Sequence, residues 1–501
     1  MSPGGEERER AAAENKSSRR DVGRSMGWFA MAQVAVRLVG LAVIVVVARL
    51  FTTEDFGRYS VALALASMLT VPVESGMGGY LVREGTQAPA RLGIVLGHAM
   101  SLQTALAIVA VASAAVIGTL LDYDRETFLT MILITVGMAV VIVTRSQMAV
   151  LVTLKRARQY AMFSSVQALV LAILTVVATV LGTGPIGVGV ATLLTAVLSF
   201  PAAHLLLRRH WHSRIIFQRE GMRETFTGSV AYSASKIGNA LMSYLDAVMV
   251  QAFSGNAAAA QYGAASRFFM ALRMFPQIYA DSLSQPLARL AKTDRAAFAE
   301  VFNRAASQLF ILAVPLAVGG FLLREPLMTT IFGDRYASSA TAAGLLLLTL
   351  VVSFPRTAVV VSSLAAGLER RVALAYGMTI VVNVVSNLIL IPAYGATGAA
   401  LSMVISLPVF AIFLAFQLKK AGIQLRVNVR FGKAVLAGAV MAAGVSVTAH
   451  LPLIVPVLVG AASYVGALVA LNTFDAGDLD MLPGGRRLGW LVRTGQPAEA
   501  R

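Results

Sequence analysis

Fourteen stretches of mostly apolar residues follow one another along the 501-residue chain, and they decide what it can become. Crossing ~30 Å of hydrocarbon takes about 20 helical residues at 1.5 Å each. The stretches lie at 27–49, 58–81, 92–121, 127–153, 160–181, 186–207, 226–252, 258–288, 303–323, 337–366, 372–391, 395–418, 432–450 and 453–473. They predict an all-α integral membrane protein, because a helix satisfies its own backbone N–H and C=O groups away from water. Several exceed the minimum length, so tilted or kinked helices are expected. Composition agrees: 57% of residues are hydrophobic and 13% charged, against ~25% charged in soluble domains. A soluble enzyme, a disordered chain and a secreted disulfide scaffold are excluded. With no cysteine, so are disulfides, zinc–thiolate sites and thiol nucleophiles.

The net charge of +17 would suggest nucleic acid in a soluble protein. Here the cations alternate with the spans. Placing the N-terminus in the cytoplasm puts 31 of the 42 Lys and Arg residues in cytoplasmic segments. Five fall outside, at Arg49, Arg58, Arg125, Arg324 and Arg335, and six lie within spans. That asymmetry is a positive-inside pattern, and it predicts that both termini are cytoplasmic. Nucleic acid is not needed as a partner. Residues 1–26 read as a disordered cytoplasmic segment and 474–501 as a polar cytoplasmic tail. Ser18-Arg19-Arg20 precedes an apolar run as in a twin-arginine signal. That run is too long and carries Arg37, so an uncleaved first helix is expected.

The external loops are short, for example Gly182–Pro185, Ser254–Asn256 and Pro392–Tyr394. A membrane polymerase or glycosyltransferase usually builds its site in a larger water-exposed loop or domain. No GxxxxGK[ST] phosphate loop occurs, and the five histidines form no ligand-spaced cluster. His210-Trp211-His212 reads as an interfacial anchor. A transporter without cofactor or metal is therefore expected, not a catalyst.

An internal repeat supports this reading. Phe51–Ser60 (FTTEDFGRYS) resembles Phe253–Ala264 (FSGNAAAAQYGA), with Gly57 and Gly263 offset by 206. Gly184–Ala191 (GPIGVGVA) resembles Gly395–Ser402 (GATGAALS), with Gly184 and Gly187 matched to Gly395 and Gly398 at an offset of 211. Two matches at nearly one offset predict that spans 1–6 and 7–12 are duplicated bundles. An even number of spans gives both the same orientation. The expected organisation is an N-lobe (27–207), a cytoplasmic inter-lobe loop (208–225), a C-lobe (226–418), and two added spans within 432–473.

Several stretches resemble the Wzx-type polysaccharide (oligosaccharide) flippases of the multidrug/oligosaccharidyl-lipid/polysaccharide exporter superfamily. These are Ala48–Phe51 through Phe56–Ser60, Gly76–Glu84 (GMGGYLVRE), Asp246–Arg267 (DAVMVQAFSGNAAAAQYGAASR) and Asn387–Ser402 (NLILIPAYGATGAALS). The resemblance implies two six-helix lobes facing a central cavity, lipid-diphosphate-linked sugar chains as cargo, and alternating access. Fourteen spans also resemble the related lipid II flippases, in which the extra pair helps form a groove for the lipid tail.

The charges inside spans point the same way. An ionisable side chain at mid-span costs ~2.5–3.5 kcal/mol on insertion scales. Arg37, Arg145, Lys236, Arg267, Arg273 and Arg356 nonetheless lie within spans, against Glu74, Asp246 and Asp281. Counted along each helix, Arg37, Arg145, Lys236, Arg273 and Arg356 fall at about one level, between the midplane and the cytoplasmic surface. A cationic cavity able to draw a diphosphate from the inner leaflet is expected, with Arg forking onto phosphate oxygens. Arg145 reads equally as snorkelling to the surface. Asp246 and Arg267 read as a structural ion pair or as functional groups. Asp281 reads as interfacial or as an ion-binding group, and Glu74 as a proton-coupling group or a local partner. Pro276, Pro286 and Pro355 are candidate hinges or static kinks. Gln33, Ser235, Asn239 and Ser243 are candidate sugar contacts or packing groups.

The function expected is transfer of a polyprenyl-diphosphate-linked oligosaccharide from the inner to the outer leaflet of a bacterial inner membrane. Membrane lipids and a polysaccharide polymerase machinery are the other expected partners. Without a nucleotide site, the energy would come from a proton or sodium gradient or the membrane potential. A multidrug/ion antiporter is the alternative, disfavoured by the excess of cations over carboxylates. A membrane polymerase or ligase is a third reading, disfavoured by the short loops.

Overall fold

The computed structural model describes residues 36, 38–74, 77–78, 80–81, 92–154, 156–208, 218–423, 426 and 429–473. Arg37, Gln33, the His210–His212 segment, the expected disordered segment 1–26 and the tail 474–501 lie outside the described residues. All regular structure in the described residues is helical. The helices are α1 (Leu38–Leu50), α2 (Thr53–Glu74), α3 (Leu92–Leu120), α4 (Arg125–Thr153) and α5 (Ala157–Val180). They continue as α6 (Gly184–Arg208), α7 (Arg219–Leu272), α8 (Met274–Thr293), α9 (Arg295–Leu322) and α10 (Arg324–Phe332). After a 3-10 turn at Asp334–Ser339 come α11 (Ala340–Leu348), α12 (Leu350–Ala365), α13 (Glu369–Lys420), α14 (Val429–Thr448) and α15 (Ile454–Ala470).

Helix runs through each of the fourteen expected segments where they are described. Among the described residues, however, only eight helices are long and apolar enough to cross a membrane, or nine if the bent pair 334–348 and 350–365 is one span. Several of the fourteen expected spans fall outside that criterion, for three reasons. α7 carries Lys236, Asp246 and Arg267, Arg273 separates it from α8, and neither helix is among the eight. α15 is short, and the first expected span is described only in part. The long helix α13 holds two expected spans in one run.

That run is a hairpin. Gly395 has φ 52° and ψ −129°, a conformation that side chains with a Cβ disfavour. Three residues on, a Cβ on Gly398 would lie 2.1 Å from the carbonyl oxygen of Leu390. In a straight helix those residues stand ~12 Å apart. α7 folds back in the same way at Gly255 (φ 80°). There Tyr262 reaches Asp246 across 2.9 Å, though sixteen residues of straight helix span ~24 Å. The two tips meet, with Ser254 3.8 Å from where a Cβ on Gly395 would sit. The matched Gly184 also has positive φ (63°), and Gly187 packs closely on Thr183 and Ala178. The glycine pairs at an offset of 211 thus mark the same turn twice.

The chain packs into two compact units, Met1–Ala240 and Leu241–Arg501. In the first, α4 is the central helix, packed on α2, α3 and α6. A Cβ on Gly137 of α4 would meet Thr192 of α6 at 2.9 Å, so glycine sets that close approach. α5 is peripheral. Met162, Val166, Leu169, Ile173 and Val177 make one exposed apolar stripe along it, the face of a helix against lipid. In the second unit α9 is central, packed on α8, α11, α12 and α14. The added pair α14 and α15 docks on it through Met441, Val445 and Leu468. Tyr464 donates to the carbonyl of Ile311 at 2.7 Å, which satisfies its buried hydroxyl.

Candidate functional site

Proline chemistry places the first functional side chain. Pro276 has no N–H to give to Leu272, and its ring crowds that carbonyl. α7 accordingly stops at Leu272 and α8 starts at Met274, with Arg273 at the break. Pro286, inside α8, produces no break. Pro355 lies inside α12, and the 40° bend between 334–348 and 350–365 falls at Thr349 before it. Arg356 follows Pro355 directly.

Arg356 and Arg273 come together in the second unit. Arg356 is only 5% exposed, and its guanidinium carbon lies 4.8 Å from the centre of the Phe410 ring. Tyr376 packs edge-on against that ring at 4.6 Å. The Nε and Nη1 atoms of Arg356 are buried without a hydrogen-bond partner, and no carboxylate pairs with it among the described residues. Arg273 donates from Nη1 to Ser243 Oγ at 3.4 Å and lies 5.7 Å from the Phe269 ring. It stands within electrostatic reach of Arg356, Tyr376 and Tyr244. Cation–π contact returns ~0.5–2 kcal/mol. Burying an unpaired ion costs several kcal/mol. The arrangement therefore stores an unmet demand for an anion, and two forked guanidinium groups suit phosphate oxygens.

A second buried group lies nearer the hairpin tips. Asp246, 1% exposed, accepts from Tyr262 Oη at 2.9 Å and Asn387 Nδ2 at 2.7 Å. Asn387 Nδ2 also donates to Asn383 Oδ1 at 3.1 Å. The remaining Asn387 Oδ1 and Asn383 Nδ2 atoms are buried and unpartnered. Arg267 is half-buried and forms no ion pair with Asp246 among the described residues. The acid is met by neutral donors instead, Tyr262 and Asn387.

In the first unit Lys236 donates to Glu74 Oε1 at 2.9 Å, an ion pair in which each side chain stays about half exposed. Glu74 ends α2, and the preceding turn is held by Gln103, which donates to the Val73 carbonyl (3.2 Å) and Ser146 Oγ (2.9 Å). Lys236 and Glu74, read separately as cargo-binding and coupling groups, are thus partners. Arg145 sits on α4 with its side chain exposed. Ser235 is half-buried with its hydroxyl unpartnered, and Asn239 is half-buried. The side chain of Asp281 lies outside the described residues. No group of three or more His, Asp or Glu suited to a metal occurs among the described residues.

Charge guided the choice of residues from sequence, so neutral partners escaped it: Tyr262, Asn383, Asn387, Tyr376, Phe410 and Gln103. One signal was available. Asn383 and Asn387 are spaced i, i+4 in an apolar run, which puts two amides on one helix face.

The polysaccharide biosynthesis protein family model matches residues 22–285, more than half of the chain. The succinoglycan biosynthesis transport protein ExoT of Rhizobium meliloti (strain 1021) is 20% identical over 336 residues, 67% of each protein. Among solved structures, the lipid II flippase MurJ in an inward closed conformation superposes with a TM-score of 0.73 at 17% identity. That match covers 88% of this chain and 98% of MurJ. An inward-facing multidrug resistance MATE family transporter of the MOP superfamily gives 0.62 at 16% identity, covering 78% and 98%. The fold is thus that of the MOP-superfamily transporters. Its apolar helices make the chain a multi-pass membrane protein, and it belongs to the polysaccharide biosynthesis protein family.

Proposed function

We propose that the protein flips a polyprenyl-diphosphate-linked oligosaccharide from the inner to the outer leaflet of a bacterial inner membrane by alternating access, with both termini in the cytoplasm. One observation carries this reading: Arg356 is a buried guanidinium with two unpartnered nitrogens and a second arginine in electrostatic reach. Such a pair discriminates against organic cations and favours a diphosphate. Arg273 and Arg356 receive the diphosphate. Lys236, Arg37 and Arg145 remain candidate cargo-binding cations of the first unit. The sugars travel through the aqueous path while the lipid tail remains in the bilayer, and the polymerase machinery takes the product.

Energy comes from an ion gradient or the membrane potential. Asp246 is the coupling group, because it is a buried carboxylate whose near partners are neutral. A proton or a sodium ion would neutralise it, and Asn387 Oδ1 supplies a further oxygen for sodium.

The test is equilibrium binding of a polyprenyl-diphosphate sugar to purified protein. Arg273→Gln with Arg356→Gln should weaken binding at least tenfold, since a hydrogen bond to a charged group contributes ~1.5–3 kcal/mol. Unchanged affinity in the double variant would refute the assignment.

A further inference from the structure

Beyond the buried arginines, cations gather at one end of the second unit, where α13 stops and α9 and α14 begin. α13 ends at Lys419–Lys420, and Gly422 (φ 81°) closes it with a bond from its N–H to the Lys419 carbonyl. Arg295, at the start of α9, donates from Nη2 to the Ala421 carbonyl at 2.6 Å. Its guanidinium carbon lies 3.7 Å from where a Cβ on Gly422 would be. Arg295 is therefore held beside the two lysines, with its remaining N–H groups unspent. On α14, Lys433 donates to the Asn472 carbonyl, and Phe431 packs on Phe310 of α9 at 4.7 Å.

Among the described residues, carboxylates do not neutralise this surface. Asp294 caps α9 through the N–H groups of Ala296 and Ala297, and Glu300 is engaged with Arg304 at 3.0 Å. No ion pair among the described residues involves Arg295, Lys419, Lys420 or Lys433. Below the cations the helices turn apolar on the same faces. Along α13, Ile412 (69% exposed) and Phe416 (51%) lead to Lys419 and Lys420 at helical spacing, and the Lys420 ammonium sits 4.7 Å over the Phe416 ring. Along α14, Lys433 is followed by exposed Leu436 and Val440.

A cationic rim continuous with an exposed apolar stripe complements a molecule with an anionic head and hydrocarbon tails. We propose that this end of the second unit binds an anionic phospholipid of the surrounding bilayer. The phosphate rests on Arg295, Lys419 and Lys420, and the acyl chains lie along Ile412 and Phe416. The site is separate from the transported cargo and does not rest on the flippase reading.

The experiment is native mass spectrometry of the full-length protein, equilibrated with equal amounts of phosphatidylglycerol and phosphatidylcholine. The wild type should retain phosphatidylglycerol preferentially. Lys419→Gln with Lys420→Gln should lower that preference by roughly fivefold per cation removed. Lys419→Arg with Lys420→Arg should keep it, which separates lost recognition from lost folding. Arg335→Gln, an exposed cation that the charge pattern places on the opposite side of the membrane, should leave it unchanged. Equal retention of both lipids by the wild type would overturn the proposal. So would an undiminished preference in the double glutamine variant, or an equal fall in the Arg335→Gln variant. Displacement of phosphatidylglycerol by polyprenyl diphosphate would overturn it too, by reassigning the surface to the cargo.

Discussion

Replacing Arg356 by methionine should stabilise the cargo-free protein while destroying cargo binding. Methionine keeps an unbranched side chain of similar reach and removes the charge. The wild-type guanidinium buries Nε and Nη1 without partners. Each buried unsatisfied polar atom costs ~1–3 kcal/mol, so the pair costs about 2–6 kcal/mol. The Phe410 contact at 4.8 Å returns ~0.5–2 kcal/mol of this. Relief of repulsion with Arg273 adds to the gain on substitution. A net stabilisation of about 1–4 kcal/mol follows for Arg356→Met in detergent without lipid diphosphate. Thermal unfolding monitored in a neutral detergent measures it as an increase in Tm. The same variant should bind polyprenyl diphosphate at least tenfold more weakly. A fall in Tm on substitution would refute the reasoning, because it would show Arg356 to be a structural residue whose neighbours satisfy it.

Three other outcomes follow. Lys236→Ala should change Tm little, since a half-exposed ion pair contributes ~0–1 kcal/mol, yet it should impair transport. A large loss of stability would make the Glu74–Lys236 pair structural. Asp246→Asn keeps the shape of the side chain and removes its charge, so it should abolish the dependence of transport on an imposed ion gradient, read with a gradient-sensitive dye. Persistence of that dependence would move coupling elsewhere. Gly398→Ala places a methyl 2.1 Å from the Leu390 carbonyl and should destabilise by ~1–3 kcal/mol in a chemical-denaturation or thermal assay. A neutral effect would mean that the hairpin is looser than its geometry implies.

The class of fold was legible in the apolar periodicity, and the duplicated turn in two glycine pairs. Gly395 and Gly184 adopt left-handed φ, and Gly398 and Gly187 pack closely, as their spacing implied. The number of apolar spans was less legible. Hydropathy counts residues, whereas α7 carries Lys236 and Asp246, whose partners are brought to them by the fold. Within the site, charge identified Arg273 and Arg356, but only packing brings them to one place. Partnership was the harder question. Asp246 was matched by depth to Arg267, yet the fold at Gly255 presents Tyr262 to it, and Asn387 arrives from another hairpin 141 residues away. Lys236 and Glu74 are 162 residues apart, and nothing local in the sequence couples them.

The most direct test of the central claim is leaflet transfer in proteoliposomes carrying a polyprenyl-diphosphate-linked oligosaccharide. Sugar exposed at the far leaflet is read by a membrane-impermeant lectin or enzyme. The wild type should expose the sugar, and Arg273→Ala with Arg356→Ala should not. Equal transfer by that double variant, or no transfer by the wild type above empty vesicles, would contradict it.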